Sequence, residues 1–367
     1  MRSLVVQTSF IGDVILTTPL LARLAADGDV DVVTTPVGAT LLASHPAVAR
    51  LIVYDKRQDD TGPAGFLRVA RAARAAGAVT RAYLAQGSTR SAALAIAAGC
   101  STRVGFASSA GAWLCSERVE YRDDWHHARR LLSLAGDCVT ATAQNAIASG
   151  EGDRRSPLHD HHRNGDDAIR PRLYPTADDI AAVDALLLGQ ERPFVAVAPG
   201  SVWATKRWPK FGELCGLLGE DYDIAIIGGP GDADAAADIK RFVAPARVID
   251  GAGNLSLLGS AEIIRRSLAL VTNDSSPQHL ASAMGTPTVA IFGPTVPSFG
   301  FGPLAPGSRT VGLDDLACRP CDRHGPRSCP LRHWRCMNDI TPKEVNDMVR
   351  SVITAGMVQG ALQERDR

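Results

Sequence analysis

The sequence predicts an α/β chain built from two doubly wound halves, each a parallel sheet with helices on both faces. Three observations carry this expectation. Short apolar runs alternate with helical patterns along nearly the whole chain, the mark of successive βαβ units. The alternation breaks once, at residues 149–173 (SGEGDRRSPLHDHHRNGDDAIRPRL), and then restarts. Hydrophobic residues make up 45% of the 367 but aromatics only 5%, and Ala and Gly are abundant, which suits helices packed closely on parallel sheets. The expected division is an N-terminal domain over 1–170, with 149–173 as a polar insertion or linker. A C-terminal domain over 174–340 and a helix with tail over 341–367 follow.

In the first half, strands are expected at Leu4 to Gln7, Val30 to Thr34, Leu51 to Tyr54, Arg81 to Ala85 and Arg103 to Phe106. Helices are expected at Val14 to Ala26, Gly38 to Ser44, Gly65 to Ala76, Ser91 to Ala98 and Asp124 to Leu134. In the second half, Phe194 to Ala198, Asp223 to Ile227, Arg247 to Ile249, Leu268 to Val271 and Thr288 to Phe292 read as strands. Helical segments are Ala177 to Leu188, Phe211 to Leu218, Ala233 to Phe242, Leu255 to Arg266, the segment opening at Pro277, and Thr341 to Gly356. In LVTNDSSPQHLASAMGTPTVAIFGP, Asn273 to Ser276 are helix-capping residue types, Pro277 suits a first helical turn and Gly285 a C-terminal stop. A helix N-terminus so crowded with small polar groups attracts anions through its free N–H groups and dipole. An ordinary capped helix accounts for the same residues.

Acidic and basic residues balance at 39 each, so no global charge argues for nucleic acid. No apolar run reaches the roughly 18 residues of a membrane span, and the N-terminus turns polar too soon for a secretory signal. The expectation is a cytoplasmic protein. The eight cysteines agree with it, because four cluster in one segment and the others are scattered.

Five constellations could carry chemistry. In Ser9-Phe10-Ile11-Gly12-Asp13, the acid stands after the first strand, where it can cap a helix or take a proton from a hydroxyl, and Gly12 lets a ligand approach the backbone. In PGSVWATKRWP, Gly200 permits a sharp turn, Ser201 follows it, Thr205 can donate a hydroxyl, and Lys206 with Arg207 supplies charge to a diphosphate. A solvated basic loop is the plain alternative. Gly228-Gly229-Pro230-Gly231 could let a nucleotide pass or simply form a turn. Cys318, Cys321, Cys329 and Cys336 have the look of a metal knuckle, with zinc the first reading and an iron–sulfur cluster the second; free thiols are the alternative. His159-Asp160-His161-His162 lies in the polar stretch and reads as solvent-exposed.

FIGDVILTTP, PGSVWATKRWP and NDSSPQHLASAMGTPTVAIFGPT, in this order and spacing, resemble glycosyltransferase family 9, the bacterial lipopolysaccharide heptosyltransferases. DDWHHARRLLSLAG and the Cys-rich tail look more like the second heptosyltransferase branch than the first. The resemblance implies a GT-B fold, two Rossmann-like domains facing a central cleft. It implies an inverting transfer from ADP-L-glycero-D-manno-heptose to a lipid A-core acceptor. No carboxylate cluster of the divalent-metal type stands out in the sequence, so no catalytic metal is expected. By motif, Asp13 would be the general base. Thr205 and Lys206 would hold the donor phosphates, with Gly200, Ser201 and Gly229 nearby, and Asp274, Ser275, Ser276 and His279 would surround the diphosphate and heptose. By analogy, Ser88 and Arg90 would contact the anionic acceptor beside Gly12. Attachment to the cytoplasmic face of the inner membrane would be peripheral, with Phe66, Arg68, Arg71 and Arg74 as candidate contacts; an amphipathic helix packed on the sheet explains these four as well. Alternatives are a GT-B transferase using another nucleotide sugar, a non-catalytic sugar-nucleotide binder, and an epimerase of similar architecture.

Overall fold

The computed structural model describes residues 2–75, 77, 80–136 and 167–365, with side chains described to 358. The chain forms two compact units, Met1–Tyr174 and Pro175–Arg367.

The first unit runs β1 (Ser3–Gln7), α1 (Ile11–Ala25), β2 (Val30–Thr34), α2 (Pro36–Leu42), β3 (Arg50–Val53), α3 (Gly62–Arg74), β4 (Arg81–Tyr83), α4 (Thr89–Ala97), β5 (Thr102–Phe106), β6 (Glu117–Val119) and α5 (His127–Ser133). Its sheet has the order β3-β2-β1-β4-β5-β6, with every neighbouring pair parallel. Every residue of β1 and β2 is buried, which is why these strands read as unbroken apolar runs rather than alternating ones. Leu4, Val6, Val33, Val69, Leu84 and Leu94 share one core. The helix α2 starts where Thr35 accepts the Gly38 N–H at 3.1 Å and Pro36 takes the first turn.

The second unit runs α6 (Ala177–Leu186), β7 (Phe194–Ala198), α7 (Phe211–Leu218), β8 (Asp223–Ile226), α8 (Ala233–Lys240), β9 (Val248–Asp250), α9 (Leu257–Arg266), β10 (Leu270–Asn273), α10 (Ser276–Met284), β11 (Thr288–Ile291), β12 (Arg309–Val311), α11 (Arg335–Asn338) and α12 (Pro342–Arg365). Its sheet order is β12-β11-β10-β7-β8-β9, again parallel throughout. Numbered within its own unit and read from the other edge, this is 3-2-1-4-5-6, the order of the first unit. Both units are therefore Rossmann-like, with the strand order reversing between β1 and β4 in one and between β7 and β10 in the other. The second core gathers Val195, Trp208, Leu214, Ile226, Val271, Ile291 and Val349.

The differences from the sequence reading have local causes. β6 and β12 are short edge strands, too brief and too polar to stand out as apolar runs. The helix expected from Asp124 begins at His127, because the His126 Nδ1 accepts the Ala128 N–H at 3.2 Å and caps it. The last helix passes through Gly356 to Arg365. Residues 137–166, with His159 to His162 and most of the polar stretch, lie outside the described residues. The end of that stretch closes the first unit: Ile169 and Leu173 are buried, and the Arg172 N–H donates to Thr18 Oγ1 at 3.0 Å. No helix among the described residues is long and apolar enough to cross a membrane.

Candidate functional site

Each unit gathers its candidate residues at the carboxyl ends of its strands, where doubly wound sheets bind ligands. In the first unit, the chain leaves β1 and turns into α1 without a side-chain cap at Phe10. Asp13 therefore does not cap the helix. Its Oδ2 accepts the Ser9 hydroxyl at 2.7 Å, and its Oδ1 stands 3.4 Å from His127 Nε2. The carboxylate is 19% exposed, held from two sides yet open to a ligand. Gly12 precedes it, half-buried.

Around the same strand ends, Lys56 donates to Thr8 Oγ1 at 2.8 Å, and Thr8 bonds Gln86. Burial, then the charges of Arg90 and Arg57, hold the Lys56 ammonium below its usual range. Arg57 and Arg90 are exposed. Ser88 caps α4: its Oγ accepts the Ser91 N–H at 3.1 Å, so part of its hydrogen-bonding capacity is already used. Beside these groups lies an apolar cavity of about 400 Å³, lined by Tyr54, Pro63, Phe66, Thr89, Arg90 and Ala93. On α3, Arg68 is tied to buried Asp60 at 2.5 Å, while Val69, Ala70 and Ala73 pack inward, which accounts for the helix's amphipathic pattern.

In the second unit, the loop after β7 meets the end of β10. Thr205 and Lys206 are both buried. Lys206 Nζ lies 2.6 Å from Asp274 Oδ2, which also accepts the Thr295 hydroxyl at 2.7 Å; Asp274 Oδ1 accepts Gln278 Nε2 at 2.8 Å. The Thr205 hydroxyl donates to the Pro326 carbonyl at 2.5 Å. Ser275 stands at the start of α10 with no side-chain cap; its Oγ reaches the Gly200 carbonyl at 3.3 Å. Ser276 is the first residue of α10, half-buried, and His279 is buried in its second turn. A Cβ at Gly200 would meet the Asp232 carboxylate at 2.2 Å, so a larger residue there would have to displace that side chain. Gly229 donates its N–H to Asp232 Oδ2 at 2.9 Å, and Ser201 Oγ accepts the Trp203 N–H at 3.3 Å. The two tryptophans differ: Trp208 belongs to the core, whereas Trp203 stacks on His324 with centroids 6.4 Å apart.

The Cys-rich segment packs on this loop through Gly325 and Pro326. Arg319, nearly buried, donates to the Phe292 and Thr295 carbonyls at 2.9 and 3.0 Å and so braces the residue that holds Asp274. The four cysteines neighbour one another. Cys321 Sγ donates to the Cys318 carbonyl at 3.2 Å, Cys318 Sγ lies 3.8 Å from His333 Nε2, and Cys336 is buried with its thiol pushed up to about 11 by burial and by Cys321, Cys329 and Cys318. No group of three or more His, Cys, Asp or Glu placed to hold a metal ion exists among the described residues. Cys329 is distinct: desolvation, the largest single influence, opposes its ionisation, but the N–H groups of Trp334, Leu331, His333 and Arg332 together outweigh it and hold the thiol below its usual range.

Local patterns missed the distant partners. His127, Thr295 and Pro326 stand far in sequence from the groups they touch, and no spacing rule marks them, whereas Gln278 reaches Asp274 from four residues on, the ordinary helical spacing.

The profile of glycosyltransferase family 9 (heptosyltransferase) matches residues 67–332. Lipooligosaccharide heptosyltransferase 2 of Campylobacter jejuni is 29% identical over 180 residues, which are 46% of this chain and 53% of that protein. The chain spans about half the length of the curated relatives it matches. Among solved structures, the ADP-heptose lipopolysaccharide heptosyltransferase II of E. coli is 25% identical with a TM-score of 0.74, covering 97% of this chain and all of that one. A family 9 glycosyl transferase from Veillonella parvula, 19% identical, shares the fold with a TM-score of 0.78 over 96% of this chain and 97% of that chain.

Proposed function

The chain belongs to glycosyltransferase family 9, and from that premise we propose that it is an inverting GT-B transferase that moves heptose from ADP-L-glycero-D-manno-heptose to the inner core of a lipid A-linked acceptor. The observation that carries the proposal is Asp13: an open carboxylate, freed from any capping duty, at the carboxyl end of β1. In a single displacement the acceptor hydroxyl attacks the anomeric carbon as ADP departs from the opposite face. Asp13 takes the hydroxyl proton. The leaving diphosphate needs positive charge and N–H donors, which Lys206 and the start of α10 near Ser275 and Ser276 can supply. For that, Lys206 exchanges Asp274 for phosphate and Thr205 gives up the Pro326 carbonyl. Gly200, Ser201, Gly229 and His279 lie along the same donor-binding loops. Lys56, Arg57 and Arg90, beside an apolar cavity, suit an anionic acceptor next to Gly12 and Ser88. The work takes place on the cytoplasmic side, with the enzyme touching the inner membrane peripherally through its first unit.

The four cysteines, which neighbour one another, enter this proposal as the ligands of a structural zinc or iron–sulfur site, and no step of transfer runs through it. Elemental analysis of the purified protein tests it; substoichiometric zinc and iron remove it. The transfer itself is tested by mass spectrometry after incubation with ADP-heptose and truncated core acceptors, beside UDP- and GDP-sugars. A mass gain of one heptose with the ADP donor alone is expected. Asp13→Asn should keep ADP affinity and cut turnover at least about a hundredfold, within the range a general base supplies. Near-normal turnover would remove Asp13 from the base role.

A further inference from the structure

Asp13 is touched by two groups of different kinds: Ser9 Oγ donates to Oδ2 at 2.7 Å, and His127 Nε2 lies 3.4 Å from Oδ1. His127 opens α5, which packs along α1 and so carries the ring to the acid. The preceding histidine is spent on the helix cap, leaving His127 to face α1. Its side chain is 12% exposed. From α1 it is faced by Asp13, and from its own helix by Arg130. The Arg130 guanidinium is fixed by the Arg122 carbonyl at 2.7 Å, the Asp123 carbonyl at 2.6 Å and Tyr121 Oη at 2.9 Å. The turn Asp167–Ile169 that packs on α5 brings Asp167, itself paired with Arg170 at 2.9 Å. Burial lowers the imidazole's proton affinity; Asp13 raises it and Arg130 lowers it further, with the balance on the neutral ring. A neutral ring with its proton on Nε2, the tautomer assigned from this contact, donates to Asp13. Such a donor can orient a carboxylate without placing a full positive charge against it.

We propose that His127 is a positioning residue for the transfer reaction: it donates Nε2–H to Asp13 Oδ1, and with Ser9 fixes the plane of the carboxylate that receives the acceptor's proton. The proposal rests on the base role of Asp13.

The test compares kcat, KM and ADP affinity for the full chain, His127→Phe and His127→Gln, with Asp13→Asn as reference. His127→Phe should lose about tenfold or more in kcat, inside the roughly hundredfold that misplacing a catalytic group can cost, with donor KM within about twofold. His127→Gln, whose amide can still donate, should recover most of the loss. Wild-type kcat in His127→Phe overturns the proposal. So does His127→Gln as slow as His127→Phe while both bind ADP normally. If the Phe variant does not fold, His127→Ala with added imidazole takes its place: rescue of kcat supports the proposal and absence of rescue overturns it. An inactive Asp13→Asn beside a normal His127→Phe sinks this inference alone; an active Asp13→Asn sinks the base role with it.

Discussion

The two units share one strand order and put their charged groups at equivalent strand ends, yet they treat those groups in opposite ways. In the first, the acid is partly open and its partners are a hydroxyl and an imidazole. In the second, the cation is buried and locked to a full counter-charge, with Lys206 10% and Asp274 9% exposed at the side chain. Asp274 is further satisfied by Thr295 and Gln278. The same scaffold thus presents a poised group and a locked one. The difference lies in which residues the loops bring from far along the chain.

The contrast can be broken experimentally, and the largest effect should fall on the locked side. Lys206→Ala leaves a buried carboxylate without its ion pair, which typically costs about 3–5 kcal/mol; denaturant unfolding of the second unit should register it, together with weaker ADP binding by calorimetry. On the poised side, Asp13→Asn should change stability by less than about 1 kcal/mol, since it removes no buried pair. A drop comparable to that of Lys206→Ala would erase the distinction.

The first unit should carry its own pH dependence. His45 is buried, and burial lowers its pKa to about 4 from 6.5. The folded state therefore binds the proton less well than the unfolded chain. The stability tied to the neutral ring is present above about 6.5 and lost as pH falls toward 4, up to about 3 kcal/mol by linkage. His45→Gln should flatten that fall, as followed by unfolding at pH 7 and pH 4.5.

Gly325→Ala should sharpen the second side. At φ +85° an alanine is strained, and its Cβ would sit 3.2 Å from Thr205 Oγ1 and 3.3 Å from Lys206 Cε. A loss of about 1–2 kcal/mol is expected from the left-handed backbone. The smallest effect is chemical: Cys329 should be alkylated by iodoacetamide at pH 7 before the other described cysteines, as read by peptide mass spectrometry.

Much of the fold was legible because a parallel sheet buried on both faces writes unbroken apolar runs, as in β1 and β7, and because helices stop at residues such as Gly285, here at φ +77°. The edge strands β6 and β12 escaped for the converse reason. Motifs located Asp13, Thr205, Lys206 and Asp274, but not their pairing. Spacing singled out the four cysteines as a group, but not that Cys321 bonds back to the Cys318 carbonyl or that Cys336 is buried, because both follow from the path of the loop.

The loop after β7 is fastened at both of its key residues to distant chain, Lys206 across 68 residues and Thr205 across 121. Such fastenings make the loop and the segment around Pro326 one cooperative unit. Neither can fray alone, so their amides should open together in native-state hydrogen exchange, and a lesion in the Cys-rich segment would be felt first as looseness in a loop far upstream.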